Sequence, residues 1–168
     1  MLMRALAVVF NALPVRWQRR VIDRAHPRFL VGVVGFGVNE RGEVLLARHR
    51  FGSPRWRFLG GILTKRESLD DALKREIHEE TGMTIEVGPL LEANTGFRWS
   101  RVEVVYAYRV VSGVAAPSGE VAEVTAFPAD ALPDVRADQR GVIERHHAAV
   151  VRWAIRAAAD SRERRGSA

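Results

Sequence analysis

Glu76, Glu79 and Glu80 fall within five residues, directly after Arg75. If this stretch is helical, at roughly 100° per residue the three carboxylates share an arc of about 100°. They border the stripe formed by Leu69, Leu73 and Ile77. Carboxylates crowded beside an apolar surface repel one another, and their ionised forms are costly without a counter-charge. A hard divalent cation supplies that charge: Mg²⁺, or Mn²⁺ in its place, takes oxygen ligands and keeps waters or substrate phosphates in its shell. A lone Glu-Glu pair is ordinarily a solvated helix face, so the cation reading needs more than the pair.

The elements around these acids follow from local signals. Ser68 and Asp71 form a Ser-x-x-Asp capping box, and Gly82 suits a left-handed C-cap. The helix is therefore expected over about Leu69–Thr81, with Gly60-Gly61 just upstream. Strands are expected at Phe29–Val38, Glu43–Arg50, Thr84–Ala93, Arg101–Val111 and Glu120–Phe127, with Asn39–Gly42 as a turn. Pro27 should end an N-terminal helical segment. A turn or short helix should follow Phe127, then a long helix over Asp138–Arg156 and a frayed tail.

The 168 residues are 47% apolar and 27% charged, which fits one globular domain. There is no cysteine, which excludes a disulfide scaffold and a thiolate metal site and suits a reducing cytoplasm. The net charge of +6 is uneven: residues 1–29 hold six Arg against one Asp, while residues 30–151 hold 15 Lys+Arg against 17 Asp+Glu. The central domain is thus no basic nucleic-acid footprint; contact through the basic ends is open but not favoured. Near the N-terminus an apolar run (Leu6, Val8, Val9, Phe10, Leu13) is broken by Asn11 and Pro14. It is too short to span a membrane, and no small-residue cleavage site follows it. The expectation is an amphipathic helix packed on its own domain or on the partner subunit of a homodimer, with a membrane-surface helix as the less favoured alternative.

The spacing of the acids extends well beyond the pair. Gly61, Glu67, Arg75, Glu76, Ile77, Glu79, Glu80, Gly82 and Met83 fit G-x5-E-x7-R-E-U-x-E-E-x-G-U, where U is a bulky aliphatic. The odds of a chance fit are on the order of one in a billion per starting point, which decides against a bland charged face. This stretch resembles the signature of the Nudix hydrolases at every defined position. Trp56–Gly61 resembles the family's W-x-x-P-G-G segment, and Glu120–Pro133 its E-x-x-E-x-x-W-F-x-x-D-E-L-P ending. The likeness covers roughly residues 30–133, leaving both ends outside it.

The resemblance implies an α/β fold, an α/β/α sandwich around a mixed β-sheet. It also implies metal-dependent hydrolysis of a P–O–P bridge in a nucleoside diphosphate linked to another group. It assigns Glu76, Glu79 and Glu80, with the Gly60 carbonyl, as metal ligands. Arg75 is expected in the catalytic group, holding an outer carboxylate such as Glu67. Glu120 matches a later acidic ligand or base, with Glu123 as competitor. The domain is expected as residues 1–28 (helical extension), 29–133 (Nudix core) and 134–168 (helix and tail). Leu59, Arg66 and Ala126 depart from the family's Pro, Gly and Trp. Arg48, Arg50 and Arg57, with His49 and Arg55, flank the glycine loop and are candidates to hold a nucleotide-type substrate's phosphates; a solvated strand edge is the alternative. Phe97 and Trp99 are candidates to stack on a base. His146 and His147 point about 100° apart on a helix, which favours surface histidines over a metal pair. A 5′-end RNA pyrophosphohydrolase and a non-catalytic Nudix regulator are the competing functions.

Overall fold

The computed structural model describes residues 2–26, 28–96 and 100–166. Its centre is β1 (Leu30–Val38), whose alternation sends Val33 to one face and Val34, Phe36 and Val38 to the other. β1 pairs in parallel with β6 (Arg101–Ser112), which pairs antiparallel with β5 (Thr84–Gly96). The other edge of β1 divides. Gly32–Gly35 pair with β4 (Leu59–Ile62), while Gly37 and Val38 pair with β2 (Val44–His49). β2 then continues between β3 (Trp56–Arg57) and β7 (Val121–Phe127). The sheet therefore forks at β1, with Gly60 and Gly61 on the β4 branch.

Helices cover both faces. α3 (Leu69–Thr81) buries Ala72, Leu73 and Ile77 against Val33, Leu59, Tyr108 and Val121. α4 (Ala137–Gly166) buries Val142, Ile143 and Val150 against Val34, Phe36, Leu46 and Val105. This is the α/β/α sandwich around a mixed sheet that the motif implied. α3 has the expected ends: the Ser68 hydroxyl accepts from the Asp71 amide at 3.3 Å, and Gly82, at φ 71°, donates its amide to His78 O at 2.8 Å. Truncating fully buried Ile77 or Leu73 to Ala should cost roughly 2–5 kcal/mol.

Two expectations about the ends are corrected. The expected helix end at Arg156 is passed: among the described residues α4 continues to Gly166. Ser161 Oγ donates to Ala157 O at 2.8 Å and accepts a bond from Arg109 at 2.6 Å, tying this turn to β6. The N-terminal segment is not a single helix. It is two helices, α1 (Leu2–Ala12) and α2 (Val15–Ala25), with Pro14 at the junction, and α2 has no buried residue. Pro27, expected to end this segment, lies outside the described residues. No helix among the described residues is long and apolar enough to cross a membrane.

Candidate active site

The paired glycines of β4 and the acids of α3 build the site together. Gly60 sits at φ 136°, where a Cβ would strike the Val33 carbonyl and come within 2.8 Å of Val34 Cα. Its absence lets β4 lie flush on β1. At Gly61 a Cβ would fall inside the Glu76 carboxylate, so the missing side chain is the seat of that acid. One turn further along α3, Glu80 lies by the Gly60 backbone, and its Oε2 is buried with no partner. Burial pushes the Glu80 pKa up to about 7; the Gly60 amide opposes this, and the charges of Glu76, Glu120 and Glu79 add to it.

Arg75 organises the outer rim. It donates to both oxygens of Glu67 at 3.0 and 2.9 Å, to Glu76 Oε1 at 2.9 Å, to Glu79 Oε2 at 3.2 Å and to Ile62 O at 3.3 Å. Glu67 also accepts from the Thr64 amide and hydroxyl, and with Arg75 as the largest cause its carboxyl is held down at about 2. This geometry makes Arg75 a positioning residue that fixes the loop on the helix through Glu67. Arg66, in the family's glycine position, takes the left-handed conformation at φ 69°. Leu59, in the proline position, is fully buried and pairs with Gly35.

Among the described residues, no three acidic or imidazole groups are drawn around one point. Arg75 engages Glu76 and Glu79, while Glu80 turns toward Gly60. The donor set nonetheless fits a hard divalent cation. It is all oxygen, it includes the orphaned buried Oε2 of Glu80, and Glu76 lies in a cradle that a Cβ would fill.

The later acids separate cleanly. Glu123 is engaged by Arg48 at 2.9 Å and by the Thr125 hydroxyl at 2.9 Å. Glu120 instead lies close enough to raise Glu80 and to oppose the lowering of His49 and Arg57. Its backbone is pinned by the Arg50 amide, at 2.8 Å from Glu120 O. Of the three candidate arginines, Arg48 is occupied by Glu123, and Arg50 donates to Gly119 O at 3.0 Å beside Glu120. Arg57 donates to Phe51 O at 2.5 Å, but its Nε is buried without a partner. Burial, then the charge of Arg136, disfavours its cation, and Glu120 supports it. His49 is buried with Nε2 unpartnered, its pKa lowered by burial and then by Arg57.

Other candidates resolve differently. His146 bonds Glu92 Oε1 at 2.8 Å and His147 bonds Gly42 O at 2.7 Å. They face apart, as expected, although both are half-buried. Phe97 and Trp99 lie outside the described residues. The sequence reading missed Arg136, which reaches the Arg57 neighbourhood from the start of α4, and Tyr108. The Tyr108 ring fills the space over Gly35 and Gly37, its hydroxyl is buried without a partner, and burial followed by the Glu80 charge pushes its pKa up. Gly35 and Gly37, two residues apart on one face of β1, were a signal for that ring; Arg136 left none. A hollow of about 640 Å³ between α4 and the β1–β2 hairpin is lined by none of the motif acids.

Residues 28–146 match the family model of the NUDIX domain. The chain belongs to the Nudix family. A MutT-like protein of Streptomyces ambofaciens is 30% identical over 112 residues, covering 67% of this chain and 72% of that one. A NUDIX hydrolase from Nitrosomonas europaea superposes with a TM-score of 0.66 at 22% identity, over 73% of each chain. A UDP-X diphosphatase superposes with a TM-score of 0.63 at 21% identity, over 94% of this chain and 80% of that one. As a Nudix hydrolase the protein is an enzyme acting on phosphorus anhydrides, in a family that uses divalent metal and nucleotide-type substrates.

Proposed function

We propose that this Nudix hydrolase cleaves the P–O–P bridge of a nucleoside diphosphate linked to a second group, with Mg²⁺ as its cation and Mn²⁺ able to replace it. The observation that carries the reading is Glu80. Its buried Oε2 has no partner, it lies one helical turn from Glu76, and it faces the Gly60 amide beside the Gly61 cradle. Glu76, Glu79 and Glu80 would hold the metal, with the Gly60 carbonyl as a further oxygen. When bound, the metal offsets the charge of acids and diphosphate and stabilises the leaving phosphate.

The chain's own groups supply the rest. Arg57, whose cation is under-compensated, and exposed Arg50 would receive phosphate oxygens, orienting the bridge for in-line attack. The attacking water oxygen bonds to phosphorus as the bridging P–O bond breaks, and its proton passes to a carboxylate. Glu120 suits that role or that of a late metal ligand, because it stands beside Glu80 and Arg57 while Glu123 is tied to Arg48. Glu67 and Arg75 stay out of the chemistry and hold the loop against the helix.

The test is a panel of ADP-ribose, UDP-sugars, dinucleoside polyphosphates and nucleoside triphosphates, incubated with Mg²⁺ and scored for both products. Cleavage between phosphates of at least one diphosphate-linked compound is expected, with Glu79→Gln and Glu80→Gln each lowering turnover by roughly 10²-fold or more while the fold survives. Near-normal turnover in both variants would overturn the assignment.

A further inference from the structure

The N-terminal helices present apolar and basic surface that the enzyme's own domain does not use. In α2, at roughly 100° per residue, Val15, Trp17, Val21, Ile22 and Ala25 occupy one arc of about 160°. Arg16, Arg19, Arg20, Asp23 and Arg24 fill the opposite arc of about 140°. Val15 is 69% exposed, and Trp17, Val21 and Ile22 are each 47% exposed. Gln18 is the polar residue inside the apolar arc, and it is spent on the junction: its Nε2 donates to Leu13 O at 2.9 Å, at the end of α1. α1 adds exposed Val8 and Val9 and contains no acidic residue.

We propose that α1 and α2 attach this enzyme to an anionic lipid surface. A helix with a full apolar face, a basic opposite face and low overall hydrophobicity lies in the plane of a membrane interface. Trp17 belongs at that boundary, and Arg20 stands over its ring with Cζ 5.1 Å from the centroid, so its charge can rise past the indole toward headgroups. Charge selects this occupant. Residues 1–29 carry six Arg and a single Asp, and Asp23 is already paired with Arg28 at 2.6 Å. A second copy of the same segment would bring like charges together. Nucleic acid would satisfy the arginines and leave Trp17, Val21 and Ile22 bare. A bilayer with an anionic skin and an apolar interior answers both faces.

The test uses the full-length chain with vesicles of equal phosphatidylglycerol and phosphatidylcholine, and of phosphatidylcholine alone. Co-sedimentation is measured at low and high salt, with thermal melting and light scattering on the same samples. Binding to the anionic vesicles that weakens with salt is expected. Arg19→Gln with Arg20→Gln should lower the partition coefficient roughly 25-fold, at about fivefold per arginine. Val21→Asn with Ile22→Asn should abolish binding, and both pairs should leave the melting temperature unchanged. Absence of binding by the folded intact chain overturns the proposal, as does binding indifferent to both pairs. A dimer in solution that Val21→Asn with Ile22→Asn splits also overturns it, assigning the face to a second copy.

Discussion

Gly61 and Glu76 share one volume: the carboxylate of the glutamate occupies the space where a side chain on residue 61 would begin. β4 and α3 meet there. Gly61→Ala should therefore displace the Glu76 carboxylate and lower turnover roughly 10²-fold, the usual consequence of misplacing a reacting constellation by about 1 Å. Substrate titration at fixed Mg²⁺ checks this; an Ala variant with unchanged turnover would mean that Glu76 is not held by this seat.

Arg66 makes the opposite point about the same loop. It is exposed and holds φ at 69°, a conformation costing a side-chain-bearing residue about 1–2 kcal/mol. Glycine removes that strain but gains freedom in the unfolded chain. The expected net gain for Arg66→Gly is roughly 0.5–1 kcal/mol, seen as a melting temperature about 1–4 °C higher. A lower melting temperature would show that the arginine side chain contributes more than its backbone costs.

Glu120 and Glu123 lie three residues apart with different surroundings. With Glu120 in the proposed role of base or late metal ligand, Glu120→Gln should depress kcat strongly with little change in KM. Glu123→Gln should loosen Arg48 on the strand surface and change stability by no more than about 1 kcal/mol. Steady-state kinetics on both variants decides, and the reverse order of effects would exchange their roles.

What could be read in advance tracks how local each signal is. α3 was legible to the residue, because Ser68, the Leu69-Leu73-Ile77 stripe and Gly82 all act within one helix. The motif acids were legible for the same reason. The fork of β1 was not, since nothing in Gly32–Val38 says that one half pairs with β4 and the other with β2. The gathering of His49, Arg57, Arg136 and Glu120 comes from β2–β7 pairing and the seating of α4, contacts made far along the chain. The last turns of α4 read as a tail because the Arg109–Ser161 bond that holds them is equally remote.

Glu92 on β5 is clasped by α4, accepting from Arg145 at 2.8 and 3.1 Å and meeting His146 Nε2 at 2.8 Å; Asn94 adds a bond at 3.0 Å. Arg145 is the largest cause holding its pKa down at about 2, against 4.5 for the free side chain. A depressed carboxyl stabilises the fold above the unfolded value and loses that contribution as pH falls through the folded one. Glu92→Gln should cost roughly 1 kcal/mol at pH 7. The gap between wild type and variant should close as pH falls from 4.5 toward 2. Urea unfolding at a series of pH values measures it; a gap independent of pH would leave the clasp without an ionic component.

The chain holds two tyrosines, Tyr106 and Tyr108. Because the Tyr108 ring lies over the bare backbone of Gly35 and Gly37 and its hydroxyl feels the charge of Glu80, it is a buried spectroscopic antenna beside the motif acids. Uniform 3-fluorotyrosine labelling therefore gives a fluorine spectrum with one signal from half-buried Tyr106 and one from the fully buried Tyr108 ring. Any change in the field at Glu80 moves the second line while the first stands as an internal reference, so occupancy of the site can be followed directly, without a chromogenic substrate and without turnover.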